Sequence, residues 1–484
     1  MIWVYRNVDK DVRPLHDNED IIIMVQNEPK QPLKQRFSLS RLTPARILLL
    51  GYAAIILIGA LLLCLPVSSR AREWTPFLSA LFTATSATCV TGLIVVPTVT
   101  HWSLFGQLIL LVLIQIGGMG FLTMGIMITI LTRRRIGLRQ RYSMQESISA
   151  PNLGGIVRLT RFIFRGVLLF EGAGALLLAL RFIPIEGMGF FRGLYYAIFH
   201  SVSAFCNAGF DLFGSSGPAG SVSGFVGDPL VNIVLMLLIV IGGLGFFVWE
   251  DLSRCRLHFA RWKLHTKLVV VASLVLIFVP AALMLYFDWD APGMAQLSLH
   301  ERVFAALFQS VSARTAGFNS IDLNNMSHAS QLTMILLMLI GGSSGSTAGG
   351  MKTTTLVVLL LCVRASLTRE SELRAFGRRI DMEALRSAVT VFVCYLTLFL
   401  GGGFLLVAFD GISMLDALFE TASATATVGL SLGVTGSLSV ASRIVLIFLM
   451  FFGRVGCMTM IYAYAESRTN AGLGRQPLEK IAVG

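Results

Sequence analysis

Charge is scarce in this 484-residue chain. Asp, Glu, Lys and Arg make up 14% of it, against 55% hydrophobic residues. A soluble domain carries roughly a quarter charged residues, so the composition is that of a membrane protein. The mean hydropathy of +0.74 agrees. Cysteines are few and scattered: Cys64, Cys89, Cys206, Cys255, Cys362, Cys394 and Cys457. No two have metal-ligand spacing, so they read as small core hydrophobes rather than ligands or disulfide partners. No Ser/His/Asp set is present, and His101 and His200 lack a second ligand at useful spacing. GGMKTTT (349–355) has the outline of a phosphate loop but lies within an apolar run and follows no soluble strand. These absences argue against an enzyme, a resident metal and a bound cofactor. A cleaved leader is also not expected, because Asp9, Asp11, Asp17, Glu19 and Asp20 spoil any basic n-region. IIIMV (21–25) is too short to span a bilayer.

The net charge is +12, and its placement says more than its size. RRRIGLRQR (133–141), SRCRLHFARWKLHTK (253–267) and RASLTRESELRAFGRRID (364–381) each lie between long apolar runs. A nucleic-acid patch is the rival reading. Short basic loops beside spans are the ordinary signal of a cytoplasmic face. The three loops, and with them both termini, are therefore expected in the cytoplasm.

Self-comparison yields a fourfold repeat. FTATSA (82–87), FHSVSA (199–204), FQSVSA (308–313) and FETASA (419–424) share one pattern. Each leads through TCVTG, FCNAG, RTAG or TATVG to a glycine: Gly92, Gly209, Gly317 and Gly429. The third connection is one residue shorter. An apolar run precedes each copy, and another follows it carrying IGGMG (116–120), IGGLG (241–245), IGGSSG (340–345) or FGRVG (452–456). The unit is thus a span, a short re-entrant helix with a loop, and a second span. Eight spans return the chain to the cytoplasm after every repeat, in agreement with the basic loops. A non-helical loop at membrane depth is tolerated only inside protein or against water. The expected fold is an all-α membrane protein with four helix–pore-loop–helix repeats around a pseudo-fourfold central pore. The expected organisation is a cytoplasmic N-terminal segment (1–45), repeat 1 (46–132), a cytoplasmic loop with repeat 2 (133–252), another with repeat 3 (253–363), another with repeat 4 (364–465) and a cytoplasmic tail (466–484).

A ring of inward-facing backbone carbonyls can replace the hydration shell of a potassium ion. Such backbone demands positive φ, which glycine adopts cheaply. One glycine at the matching place in each repeat is what a single-chain potassium filter requires. At this point SATCVTGL (86–93), SAFCNAGFDL (203–212), SARTAGFNS (312–320), SATATVGLSL (423–432), GGSSGSTAGGMKTTT (341–355) and GRVG (453–456) can be set together. The chain resembles the Trk/Ktr/HKT superfamily of potassium transporters over nearly all of residues 46–484. Four repeats without extra leading spans look closer to the Ktr membrane subunit than to the longer Trk type. The resemblance implies Gly92, Gly209, Gly317 and Gly429 as filter glycines, with Thr91, Ala208, Ala316 and Val428 as their backbone neighbours. In related plant transporters a serine in the first loop goes with sodium preference, and no such serine stands here. The resemblance further implies a homodimer, each protomer with its own pore, and a cytoplasmic regulatory ring of nucleotide-binding subunits (KtrA-like). It makes sodium a possible stimulating ion, and a bacterial inner membrane the natural home.

Arg454 sits within the last span. It is either one partner of a buried salt bridge or a positive obstacle that repels cations below the filter, the role the resemblance supports. Segment 341–355 carries five glycines in its first ten residues, which disfavours helix and predicts a flexible loop; close packing through small residues is the alternative. The resemblance makes Gly345, Ser346, Thr347, Ala348, Gly349 and Gly350 a gating loop, ended by Lys352, whose ammonium is expected to snorkel toward the cytoplasm. Arg454 and this loop are expected to close the pore together. Arg314 and Glu420, from neighbouring repeats, are expected to pair and brace the filter, and Asp211 to concentrate cations at the outer mouth. Glu171 is the acid deep in an apolar run, suited to a hydrogen-bonded packing role or to binding a coupling ion. The leading expectation is a gated potassium-translocating subunit. A sodium- or proton-coupled symporter on the same architecture is the first alternative, and a non-transporting scaffold the second. The basic loops and tail would dock the regulator or meet lipid head groups.

Overall fold

The structure is a computed structural model that describes residues 43–120, 156–185, 187–214, 220–256 and 258–464. The basic loop 133–141, most of the N-terminal segment 1–45 and the tail 466–484 lie outside the described residues.

Four long helices pass a span test by length and hydropathy: Ala45–Cys64, Val157–Phe182, Leu264–Phe287 and Met382–Asp410. We refer to them as the outer helices. Between 28% and 39% of each span window is buried, so most of their Leu, Val and Phe side chains face outward, as Leu168, Leu169, Leu176, Phe278 and Val279 do. Two bent pairs could each serve as a further span: Pro229–Leu244 with Phe246–Cys255 (96°) and Val440–Val455 with Cys457–Ala463 (90°). By length and composition the described residues thus supply four to six spans, against the eight expected. The shortfall falls on two segments: Leu104–Met119 ends at the edge of the described residues, and residues 340–352 interrupt the run between His328–Leu339 and Thr353–Leu367.

The interior is built the other way round. Four short helices, Phe77–Cys89, Phe190–Phe205, Leu299–Ser312 and Met414–Ala426, follow the outer helices in order. Their Phe82, Phe199, Phe308 and Phe419 are fully buried, together with most of their Ser, Thr and Ala. Small side chains let helix backbones approach closely where lipid removes any hydrophobic drive between spans. Buried hydroxyls are satisfied along the helix itself: Thr83 donates to the Ser79 carbonyl (2.8 Å), Thr85 to Leu81 (2.7 Å) and Thr421 to Ala417 (2.9 Å).

The inner helices Leu104–Met119, Pro229–Leu244, His328–Leu339 and Val440–Val455 start on side-chain caps. Ser103, Asp228, Ser327 and Ser439 each accept from a backbone N–H of the first turn, answering donors that a helix start leaves unpaired. Three of them end on a glycine in positive φ: Gly120, Gly245 and Gly456.

Outside this body, a small hairpin pairs Arg374 with Arg379 and Ala375 with Arg378. Phe376 and Gly377 turn it, both at positive φ, the signature of a mirror-image tight turn. Arg374 (2.8 Å) and Arg379 both bond Glu372. Those bonds hold the Glu372 carboxyl below the usual carboxylate range.

Candidate ion-conduction site

Each short helix runs directly into a loop that bends twice. The first bend is a non-glycine residue in the left-handed region: Val90, Asn207, Thr315 and Thr427. The second, two residues on, is the glycine: Gly92 (φ +93), Gly209 (φ +67), Gly317 (φ +80) and Gly429 (φ +95). The one-residue deletion in the third copy is absorbed before the first bend. There Ala316 N–H reaches the Ser312 carbonyl four residues back, whereas Thr91, Ala208 and Val428 reach five back to Ser86, Ser203 and Ser423, all four at 2.8 Å.

The four glycines form a closed cycle. A Cβ built on Gly92 would lie 2.5 Å from the Ala208 carbonyl oxygen. On Gly209 it would lie 2.9 Å from the Ala316 oxygen, and on Gly317 2.5 Å from the Val428 oxygen. On Gly429 it would collide with the Thr91 oxygen, which closes the ring. The backbone conformation and the neighbour's carbonyl thus both require glycine at all four places.

Sequence reasoning used the recurring Ser–Ala pair as a marker and missed what the serine does. Ser86 Oγ accepts from Gly92 N–H, and Ser423 Oγ from Gly429 N–H, both at 3.0 Å. Ser203 and Ser312 instead donate to the carbonyls of Phe210 (2.7 Å) and Phe318 (2.6 Å). Every loop is therefore tied back to its own helix by the same serine; the fourfold recurrence of that residue was the available signal. Ser86→Ala and Ser423→Ala are each expected to cost about 1 kcal/mol, as lost buried hydrogen bonds do. A lower melting temperature in detergent would register this, and an unchanged one would remove the hydroxyls from the account.

The inner helices place their paired glycines against the ends of the short helices. Gly117 abuts the Thr88 carbonyl, Gly242 the Phe205 carbonyl and Gly453 the Thr425 carbonyl, with no room for a Cβ. Alignment of the IGGMG, IGGLG, IGGSSG and FGRVG elements puts Arg454 where the others have Gly118, Gly243 and Gly342. Its guanidinium donates to the carbonyls of Thr347 and Gly117, and to that of Gly118 at 3.1 Å. It forms no salt bridge among the described residues. A cavity of about 270 Å³ opens beside it, with Tyr52, Ser346, Lys352 and Tyr395 also in its wall.

Residues 340–352 are irregular, as the glycines predict, but they are not loosely held. Ser343 N–H bonds the Gly243 carbonyl (3.0 Å), Thr347 N–H the Gly242 carbonyl (3.2 Å), and the Gly345 carbonyl accepts from Phe246 N–H (2.7 Å). Thr347 Oγ1 adds a bond to the Phe205 carbonyl at 3.1 Å. Ala348, Gly349 and Gly350 are buried, and Gly349 is pressed against Thr427. The expected outward reach of Lys352 is corrected: its ammonium folds back onto the Ala348 carbonyl at 2.7 Å. Satisfying a carbonyl of the loop it ends outweighs exposure, because an unpaired buried carbonyl is costly.

The expected Arg314–Glu420 pair does not form. Arg314 points to Ser273 Oγ and Thr353 Oγ1, both at 3.4 Å. Glu420 accepts from Ser431 and, at 3.0 Å, from Thr435. Each charge finds hydroxyls nearer to hand than the other charge. Asp211 is half-buried and accepts from the N–H groups of Phe213 (2.9 Å) and Gly214 (2.6 Å). His200 is a satisfied core histidine, with Nδ1 2.7 Å from the Tyr196 carbonyl and Nε2 accepting from Leu212 N–H at 3.3 Å.

A chain of candidate membrane spans in which four glycine loops close on one another belongs to the class of membrane transporters. The chain belongs to the TrkH family, described as cation transport proteins, whose family model matches residues 52–471. It is a multi-pass membrane protein. It is similar to the Ktr system potassium uptake protein B of Bacillus subtilis (strain 168), at 38% identity over 88% of this chain and 94% of that protein. The potassium/sodium uptake protein NtpJ of Enterococcus hirae is 37% identical, over 92% of this chain and 98% of its own length. The crystal structure of the potassium transporter TrkH from Vibrio parahaemolyticus has the same fold, with a TM-score of 0.68 at 20% identity, covering 90% of this chain and 87% of that one.

Proposed function

We propose that the chain is the potassium-translocating subunit of a gated uptake system, with its four loops arranged as a filter about a pseudo-fourfold axis. The closed cycle of glycines and neighbouring carbonyls carries this reading. The carbonyls of Thr91, Ala208, Ala316 and Val428 lie at that cycle and would replace the water around a dehydrated potassium ion. The four short helices all end at the loops, so their negative C-terminal ends favour a cation there. The relatives from B. subtilis and E. hirae are named for potassium uptake. Potassium is cargo here, not a cofactor.

Below the cycle, Arg454 and loop 345–350 form the gate. The guanidinium bonds Thr347 and the end of the first inner helix, and its positive charge would stand in the way of an ion. A regulator that withdraws the loop would break the Thr347 bond and free the arginine to swing aside. The name "Ktr system" given to the B. subtilis relative supports a separate regulatory component, which we place as a nucleotide-binding ring on the cytoplasmic loops, with the membrane subunit as a homodimer in contact with lipid. The basic loops and both termini face the cytoplasm of a bacterial cell, and the protein resides in the inner membrane. The membrane potential supplies about 2.3 kcal/mol per 100 mV to each entering ion, so uptake needs no hydrolysis within the chain. A second reading, sodium-coupled symport, is favoured by the paired potassium/sodium name of the E. hirae relative.

Rubidium uptake into potassium-loaded proteoliposomes tests the proposal. Uptake suppressed by external potassium and not by equal sodium is the expected result. Equal suppression by both ions, or no uptake even after deletion of residues 344–350, would overturn it.

A further inference from the structure

One buried acid is held against the second loop from outside the ring. Glu171 lies on the outer helix Ile156–Phe182 and is 7% exposed. Its two carboxylate oxygens accept from Gln115 Nε2 of the first inner helix, at 3.1 and 3.2 Å. The Cys206 thiol lies 3.8 Å from the same carboxylate and 3.7 Å from Gln115 Oε1. Three elements therefore meet in one small polar cluster inside apolar surroundings. The Glu171 backbone is also fixed, since its carbonyl accepts from Ser201 Oγ at 2.7 Å.

Cys206 is the hinge of this arrangement. It caps the short helix Phe190–Phe205 and is followed at once by Asn207 in the left-handed region and then by Ala208 and Gly209. Gly118 packs onto it so closely that a Cβ there would lie 2.6 Å from the sulfur. The Gly118 carbonyl in turn accepts from Arg454. The carboxylate thus touches the stem of the second loop on one side and the helix end held by the arginine on the other. The other buried acids among the described residues bond elsewhere: Glu420 to Ser431 and Thr435, Asp251 to Lys263 N–H, Asp288 to Ser327 N–H.

Burying a carboxylate is costly, and an apolar side chain would fill the same space without that cost. What the acid adds is two oxygens at fixed positions, and both face the Gln115 amide nitrogen, which is therefore turned inward. That orientation leaves Gln115 Oε1 toward the thiol.

We infer that Glu171 is a positioning residue for the second filter loop: through Gln115 and Cys206 it fixes the direction of the Ala208 carbonyl, and with it the discrimination between potassium and sodium. The inference rests on the filter reading above. It assigns Glu171 no contact with the ion.

Reciprocal substitution in the full-length protein, reconstituted in vesicles, tests it by the ratio of rubidium to sodium uptake. Glu171→Gln keeps the shape but brings two amide groups together with one acceptor lost. The ratio is expected to fall about fivefold, and further in Glu171→Ala, since one lost buried hydrogen bond is worth about this much. Gln115→Glu combined with Glu171→Gln exchanges amide and carboxylate in place. Cys206 lies within reach of both side chains, so the double variant should recover most of the wild-type ratio. A role in packing alone would lower total uptake and melting temperature and leave the ratio where it was. Single variants with the wild-type ratio, or a double variant no better than Glu171→Gln, would overturn the inference. Wild-type vesicles that admit rubidium and sodium alike would instead overturn the filter reading itself.

Discussion

Gly429→Ala is expected to abolish potassium-selective uptake. Gly429 sits at φ +95, where an L-residue pays on the order of 1–2 kcal/mol for the conformation alone. The added methyl would also run into the Thr91 carbonyl oxygen and come within 2.9 Å of Gly92 Cα. That oxygen belongs to the next loop of the cycle, so the damage does not stay in the fourth repeat. Either the fourth loop moves outward or the Thr91 carbonyl turns away, and the ring loses one ligand in both cases. The loss of one well-placed oxygen, about 3 kcal/mol by analogy with a removed preorganised donor, would erase a selectivity of roughly a hundredfold. The check is rubidium uptake under sodium competition, with size-exclusion behaviour as the control for folding. Gly92→Ala should behave alike, since its methyl meets the Ala208 oxygen at 2.5 Å. Selective uptake surviving in a well-folded Gly429→Ala protein would remove the ring from the mechanism.

Arg454→Ala is expected to act in the opposite direction and raise uptake. The guanidinium is half-buried and, among the described residues, bonds carbonyls and no acid, so no described partner cancels its positive charge. A second positive charge, Lys352, shares the same cavity wall. Removing Arg454 deletes a repulsive barrier, and a drop of about 1.4 kcal/mol would raise flux tenfold. It also frees Thr347, so deletion of residues 344–350 in the Arg454→Ala background should add little to either change alone. Initial rates of rubidium entry in the absence of any regulator measure both variants. A fall in rate for each would assign Arg454 to packing and sink the gate.

Much of the candidate site is legible in the sequence because it is repeated. The four glycines, their preceding residues and the short helices recur at matching places, and a pattern repeated four times is hard to produce by chance. Loop 340–352 was legible as irregular for a local reason, its glycine content. What escaped was the identity of partners. Arg454 finds Thr347 across 107 residues and Gly117 across 337, and no local pattern encodes such a meeting. Arg314 and Glu420 were paired by charge alone, yet Arg314 points to the hydroxyls of Ser273 and Thr353, and Glu420 accepts from Ser431 and Thr435. Lys352 was read from its length and charge, and the nearby Ala348 carbonyl decided its direction. In each case the charged group takes a short-range polar partner that the spacing of charges in the sequence does not mark.

Arg454 occupies one of four matching positions, the other three being Gly118, Gly243 and Gly342. An assembly of four identical subunits has no access to that arrangement, because one substitution in its gene appears at every corner. Four guanidiniums would then crowd a space where one makes three hydrogen bonds, with nothing to neutralise them. Joining the four units in a single polypeptide lets each corner take its own residue. In the proposed arrangement one unit carries the charge, another the loop it holds and a third the acid that steadies its own filter loop. In the proposed pore, the covalent link between repeats is thus what would allow a nearly symmetric ring to be closed from one side.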